Sequence, residues 1–599
     1  MMPLFSDTQK TSTLASLFGL IFILFGWFVL SLALSGLFLF PLIVSGAILS
    51  AIIAIFIGWR LFLRAPVEFK SMLLILVVCS ALLGYISEPT LFSGRDQGSI
   101  SEAAFRLAQN GQLAFATDAS TAFFNLYGEG TALNFPGFAY TQACDLLTQF
   151  PLGYTAWLGS FILLFGIHGI AVGNSLLFFL FLFSFSNILR VFAGSFYTWC
   201  AIGLTLLSFL PTWFAKITVS ENLAVFLFTF LVWHIIVFIR EGKFIAYTGV
   251  FLSVGLFVFT RIEGLAFLAL TLMLLFWNQH TRSIWKTYPW KSIVIPGIVF
   301  FFFFLRDFFI NLPYYKMIGK AAIKFTHQLG TGNIVGDIVT ADHTFAIGPV
   351  FLLYGLFVLF ALGFLGMFIC AKEKHYILLI PVFIALPTFL YLFDPNISLD
   401  HPWMLRRYLF SLFPTFLFSA VMGIALLLTQ DKNLPVANPH GKRLFFASII
   451  ILGLALLQYP AWSTGILFAE NRTLLNQVAT LSQEFSDKDL VLVDRNVTSD
   501  GFAMLTGPAQ FLYGKNMVYF FNPTDIATLD TAPFARIYLL VPEGDQMRYV
   551  SVFGHRLVFN KTITFTQERF EYLSLEENAP LRLPEKILYT TNNLLFQIY

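Results

Sequence analysis

Residues 93–115, SGRDQGSISEAAFRLAQNGQLAF, place several ionisable groups directly after an apolar run. Asp96 comes first. Glu102, Arg106 and Asn110 follow at a spacing of four, which aligns them on one face of a short helix. Ala103, Phe105 and Leu107 supply apolar positions that would let this helix lie on a membrane surface. A carboxylate at the mouth of a helix bundle suits a general base or a metal ligand, and Asp96 and Glu102 are the catalytic candidates here. Asp96 can equally cap the helix that DQGSISEAAF begins, because its side chain can accept a first-turn N–H. The two roles are compatible.

Further candidates sit within or beside apolar runs. Arg261 and Glu263 are expensive in lipid, so they are candidates for function by default, or else a mutual ion pair that orients helices. Arg406, Arg407 and Tyr408 lie at the outward end of an apolar run. A guanidinium there can hold a phosphate through two parallel hydrogen bonds, or can snorkel to headgroups. Lys316, Lys320 and Lys324 are four apart and form a basic ridge suited to an anionic headgroup. Glu221 opens a span, where a helix dipole also favours it. His234 is alone on an apolar face and reads as structural. The Asn-x-Ser/Thr triplets at Asn396, Asn471, Asn496 and Asn560 are common by chance and decide nothing.

These residues need elements to hold them, and composition says what kind. Of 599 residues, 57% are hydrophobic and 12% charged, with 74 Phe; a soluble chain carries roughly 25% charged residues. A net charge of +3 excludes nucleic acid as an evident partner. Cys79, Cys144, Cys200 and Cys370 show no disulfide or zinc spacing. Runs long enough to cross a bilayer, at ~20 residues each, occur at 14–34, 38–63, 71–88, 151–168, 170–192, 197–214, 221–239, 245–260, 264–279, 293–311, 346–370, 376–393, 408–429 and 443–459. The fold class is therefore an all-α polytopic membrane domain of about 13–14 helices followed by a small α/β domain at 463–599. In that domain LVLV (490–493), MVYFF (517–521) and ARIYLLV (535–541) read as strands, and 470–484 reads as a leading helix.

Lys and Arg concentrate in the short loops at 60–70, 282–291, 372–374 and 432–443, which marks those loops as cytoplasmic. Segments 89–150, 312–345 and 394–407 and the C-terminal domain then face outward. Six apolar runs lie between Phe150 and Arg282, but this orientation needs an odd number of crossings. One of the six therefore fails to cross; the 197–214 run, interrupted by Pro211, is one candidate, and the sequence does not single out which.

An acidic residue after a span, a helix reading A-x-x-L-A-x-x-G, a Pro-Gly turn and FPLGYTAWLGSFILLFG (150–166) together resemble the GT-C superfamily of polytopic glycosyltransferases. The protein mannosyltransferase, aminoarabinose transferase and RgtA-like groups are nearest in pattern. SENLAVFLF (220–228), FTRIEG (259–264) and LRRYLFSLFP (405–414) follow in the order expected of that family. The likeness covers most of 71–430 and makes 71–460 a GT-C-like catalytic core, with two extra helices in 1–70. It implies a polyprenyl-phosphate sugar as donor and a protein, lipid or glycan acceptor, and a site that faces the periplasm or exterior from a bacterial inner membrane. Asp96 would be the base, and Arg261, Arg407, Tyr408 and Lys316 would hold the donor phosphate, with Glu221 and Glu263 as further candidates. Adjacent acidic residues are frequent in the family, whereas this chain has Asp96-Gln97, so no metal ligand is assigned and metal dependence stays open. The alternatives are a secondary transporter or lipid flippase, and an inactive scaffold. Against the transporters, the sequence shows no internal repeat and no matched pair of broken helices.

Overall fold

The computed structural model describes residues 4–92, 94–277, 279–285, 287–289, 291–312, 314–316, 318–320, 345–395, 397–398, 402–429, 434–498, 503–573 and 581–599. Lys286, Lys324, Asn396 and Lys432 lie outside these.

Backbone groups surrounded by lipid must bond to one another, and the apolar runs are accordingly helical. Helices α1 (Leu4–Ser35), α2 (Phe40–Arg64) and α3 (Val67–Ile86) are followed by α4 (Asp96–Asn110) and α5 (Asp118–Tyr127). A small antiparallel sheet comes next, built from β1 (Gly130–Thr131), β2 (Phe138–Tyr140) and β3 (Leu146–Thr148). Then come α6 (Leu152–Phe165), α7 (Gly169–Phe192), α8 (Ser195–Leu206), α9 (Phe209–Phe214), α10 (Glu221–Glu241), α11 (Phe244–Val258), α12 (Gly264–Trp277), α13 (Gln279–Trp285) and α14 (Lys291–Ile310). The remaining membrane helices are Leu356–Lys372, a segmented run over Tyr376–Phe393, Leu412–Leu428 and Lys442–Gly465. The bundle has a basic end, with Arg60, Arg64, Arg190, Lys243, Arg282 and Lys372, and a site end that carries α4, α5 and both sheets.

The structure singles out the run that keeps the crossing number odd, and it is not the 197–214 candidate. Run 197–214 does cross: α8 starts beside Val436 and Asn438 at the basic end, and α9 finishes against Gly465 and Phe570 at the site end. Pro211 breaks this span without stopping it. The run that fails to cross is 151–168. Gly153 N–H donates to Phe259 O (2.7 Å), and Gly159 lies beside Ala104 and Phe38, all at the site end. The chain turns at Gly166 (φ +61°) and comes back antiparallel, so that Tyr154 donates to Asn174 (2.7 Å) and Trp157 to Gly173 O (3.4 Å). Asn174 in turn donates to Ile217 O at the site end. Helix α7 then runs from Ser175 beside Gly84 to Arg190 beside Phe69, the full depth of the bundle. Between Phe150 and Arg282 five of the six apolar runs then traverse the bundle, the odd number that the orientation needs.

At the site end, helix Leu474–Ser482 leads into a five-stranded sheet of order β5-β4-β6-β8-β7. Strands β4 (Asp489–Val493), β5 (Asn516–Tyr519) and β6 (Arg536–Pro542) are the three that the sequence suggests. They run parallel with β4 central and buried along its whole length, hence its unbroken apolar run. β7 (Leu557–Phe570) and β8 (Lys586–Ile598) add an antiparallel hairpin.

Helix α4 does not lie on a membrane surface. It is sandwiched between α6 and the C-terminal domain, and Gly98–Ala104 all have low exposure. Phe105 stacks on Phe511 (4.8 Å), Gln109 donates to Phe511 O (2.6 Å) and Arg106 to Gln510 (3.2 Å). Lys216 adds a second tie. Its ammonium donates to the carbonyls of Gly465, Ile466 and Phe468 at the C-terminus of the last membrane helix, where unpaired carbonyls and the dipole both favour a cation.

Candidate functional site

Helix α4 begins at Asp96, with Arg95 in the capping position, and no side chain caps the first turn. The capping role expected of Asp96 is therefore not taken up. Its carboxylate reaches across the bundle instead, to Arg406, with Oδ2 2.5 Å from Nη2. Arg406 Nε lies 3.3 Å from Glu221 Oε1, and Arg261 Nη1 lies 2.7 Å from that same oxygen. Arg261 also grips Glu263 through two parallel bonds, Nη2 to Oε1 (2.8 Å) and Nε to Oε2 (3.0 Å). The Tyr391 hydroxyl donates to Glu263, and Tyr408 donates to Tyr391 O (2.8 Å). The result is one chain of alternating charge, Asp96–Arg406–Glu221–Arg261–Glu263, drawn from four separate parts of the sequence.

Local sequence explains each placement. Glu221 is the first residue of α10, where its charge meets the helix N-terminus. The turn before it is held by Asn174 and Asn222, which both donate to Ile217 O, and by Thr90, bonded to Thr218. Arg261 and Glu263 lie in the break between α11 and α12. Gly264 closes that break: a Cβ there would stand 2.5 Å from Phe257 O. Arg406, Arg407 and Tyr408 occupy the 3-10 turn Trp403–Tyr408, where successive side chains point a third of a turn apart. Adjacent arginines consequently serve different surroundings.

Burial separates the roles. The Glu221 side chain is 2% exposed, that of Glu263 is 8% and that of Asp96 is 38%. Asp96 is the carboxylate of the chain that a substrate can reach, and among the described residues its Oδ1 has no hydrogen-bond partner. Its chain neighbours Arg95 and Gln97 line an open cleft between the bundle and the C-terminal domain, together with Trp213, Trp403, Glu470 and Tyr572 among others. Trp403 carries Arg406 on its ring at 4.3 Å and Arg95 at 5.7 Å.

Among the described residues, Arg407 is the cation of the group without a carboxylate partner. It sits 5.6 Å over the Tyr391 ring. Burial first, then the neighbouring charge of Arg406, push its guanidinium below the ordinary value. Of the residues expected at the site, Asp96, Glu221, Arg261, Glu263, Arg407 and Tyr408 converge. Lys316 does not: it is exposed and lies 3.5 Å from Glu129.

Glu102 also stands apart. It is buried under Gly507 of the C-terminal domain, 3.8 Å from Arg106. Burial raises its carboxyl above the ordinary 4.5, and Arg106 offsets only part of that. Between the two values the folded protein holds a proton that the unfolded chain has released, so stability falls as pH rises through that window. Glu102→Gln should remove this downward slope from the pH dependence of the thermal midpoint; a slope unchanged in the variant would remove Glu102 as its source.

Two members of the site have roles the sequence did not assign. Arg406 is named there beside Arg407 as a possible phosphate ligand and not as the partner of Asp96, and Tyr391 is not named at all. The Arg-Arg-Tyr run was the available signal for Arg406. Tyr391 lies in an apolar stretch without any such mark. His234 is buried with Nδ1 on Phe230 O (2.8 Å), a structural placement.

No family model matches the chain, and no curated protein matches it. Among solved structures it is similar to ArnT from Cupriavidus metallidurans bound to undecaprenyl phosphate, at 10% identity and a TM-score of 0.48, over 89% of this chain and 98% of that one. The same protein in its apo state matches at 10% identity and a TM-score of 0.48, over 88% and 98%.

Proposed function

We propose that the chain is a membrane glycosyltransferase that moves a sugar from a polyprenyl-phosphate donor to a hydroxyl acceptor at the site end of the bundle. One observation carries this reading: a reachable carboxylate, Asp96, whose chain neighbours line a cleft, stands at the same end of the bundle as a half-buried guanidinium, Arg407, that no carboxylate pairs among the described residues. The ordered motifs that resemble the GT-C superfamily supply the substrate class.

In this mechanism the acceptor oxygen, entering from the cleft, attacks the anomeric carbon as Asp96 Oδ1 takes its proton. The bond from the anomeric carbon to the phosphate oxygen breaks, and polyprenyl phosphate leaves as the anion. Arg407 stabilises the charge on that leaving group, in surroundings where little water screens it. Arg261 already has two carboxylates, so it orients the chain and leaves the phosphate to Arg407. The apolar tail of the donor lies among the helices, which accounts for placing such chemistry in a membrane.

Arg407→Ala should weaken donor binding by about one to two orders of magnitude, the worth of a charge-assisted hydrogen bond of roughly 1.5–3 kcal/mol. Arg407→Lys should recover part of that, because it keeps the charge and loses the planar fork. Donor titration on purified variants measures both, and unchanged affinity in the Ala variant removes the phosphate role. The site end faces outward on this reading. Cysteines introduced near Asp96 and Asp494 should label from one side and those near Arg64 and Lys374 from the other; any other pattern overturns the orientation.

A further inference from the structure

The basic end holds a second cavity, with about 520 Å³ of open space, at the meeting of α3, α7 and α8. Arg190, in the last turn of α7, projects there and lays its guanidinium on the Phe69 ring at 3.8 Å. Among the described residues no carboxylate or carbonyl lies within hydrogen-bond reach of it; Glu68, on the cavity rim, acts on it only at longer range. A guanidinium taken out of water without an anion is costly and calls for one. Ser195 and Thr198, in the first turn of α8, line the opposite wall, where the helix N-terminus also favours a phosphate.

The cavity is not simply anionophilic. Glu68 is exposed beside it and repels a plain anion, yet it suits a ligand that brings its own cation. Phe69, Met72 and Trp199 add apolar and interfacial surface suited to the start of an acyl chain. We infer that this cavity binds the headgroup of a phospholipid carrying both a phosphate and a primary ammonium, with the phosphate on Arg190 and Ser195 and the ammonium on Glu68. Helix α7, 24 residues long, separates this site from the candidate active site by roughly 36 Å at 1.5 Å per residue. The inference stands independently of the proposed transfer reaction.

Native mass spectrometry of the full chain, with added phosphatidylethanolamine, phosphatidylcholine or phosphatidylglycerol of identical acyl chains, tests it. Phosphatidylethanolamine should bind at least about tenfold more tightly than the other two, as expected for one charge-assisted contact that they lack. A quaternary ammonium cannot donate to Glu68, and a glycerol headgroup brings no cation. Arg190→Gln should weaken all three lipids by about tenfold or more, because each brings a phosphate, and Glu68→Gln should bring phosphatidylethanolamine down to the level of phosphatidylglycerol. Arg190→Lys should retain part of that common affinity, which keeps the test available if the Gln variant does not fold. Equal binding of all three lipids to the unaltered protein overturns the inference. So does phosphatidylglycerol binding as well as phosphatidylethanolamine with no effect of Glu68→Gln, which marks a plain anion site. Soluble glycerophosphoethanolamine should compete weakly; if it competes as well as the lipid, the occupant is a soluble zwitterion and the lipid assignment falls.

Discussion

Asp96→Asn should lower sugar transfer by about 10²–10⁴-fold, the usual contribution of a positioned general base, while the protein still inserts and binds donor. The amide keeps the shape of the carboxylate, and its oxygen can still accept from Arg406, so the charged chain stays assembled. What disappears is the capacity to hold the acceptor's proton. The comparison is clean because Asp96 caps no helix: a loss of rate cannot be assigned to an unravelled first turn of α4. Turnover at saturating donor, measured beside donor affinity, separates the outcomes. Near-normal turnover would take Asp96 out of the chemistry and the proposed mechanism with it. A rate loss that merely tracks weaker donor binding would instead make Asp96 a support for Arg406.

The second large effect is expected at Glu221, in stability. This carboxylate is 2% exposed and shared by Arg261 (2.7 Å) and Arg406 (3.3 Å). Glu221→Gln removes the anion between two buried cations. Breaking a buried ion pair from one side costs about 3–5 kcal/mol. If Glu221 served only the α10 dipole, the loss would be roughly 0.3–1 kcal/mol. The two readings differ by several-fold, enough for thermal unfolding of purified protein to decide between them. Glu221→Asp, which keeps the charge and shortens the reach, should fall between the unaltered protein and the Gln variant. A shift in midpoint as small as that of a surface substitution would show that the two arginines are neutralised by other groups. Transfer should fall as well, since Arg406 would lose one of the two anions that hold it against Asp96.

The membrane class and the number of helices were legible from the residues alone, because both follow from local composition. A run of about 20 apolar residues must become a helix in lipid whatever its neighbours are, and LVLV at 490–493 has little choice but a buried strand. The positions of charges costly in lipid were legible for the same reason: Arg261, Glu263 and Glu221 stand out against their apolar surroundings. Pairing was not legible, because it depends on where distant segments meet. Sequence order suggests that Glu102 works with Asp96, six residues away, yet the docking of α4 turns Glu102 under the C-terminal domain and Asp96 toward Arg406, 310 positions along the chain. Run 151–168 passes every local test for a span, but its turn at Gly166 and its hydrogen bonds to α7 keep it at one end of the bundle. The different surroundings of Arg406 and Arg407 likewise come from the 3-10 turn, whose rotation per residue sends one to the carboxylates and the other over the Tyr391 ring. Residue type determined which groups were costly enough to need a purpose; the tertiary contacts determined which of them share one.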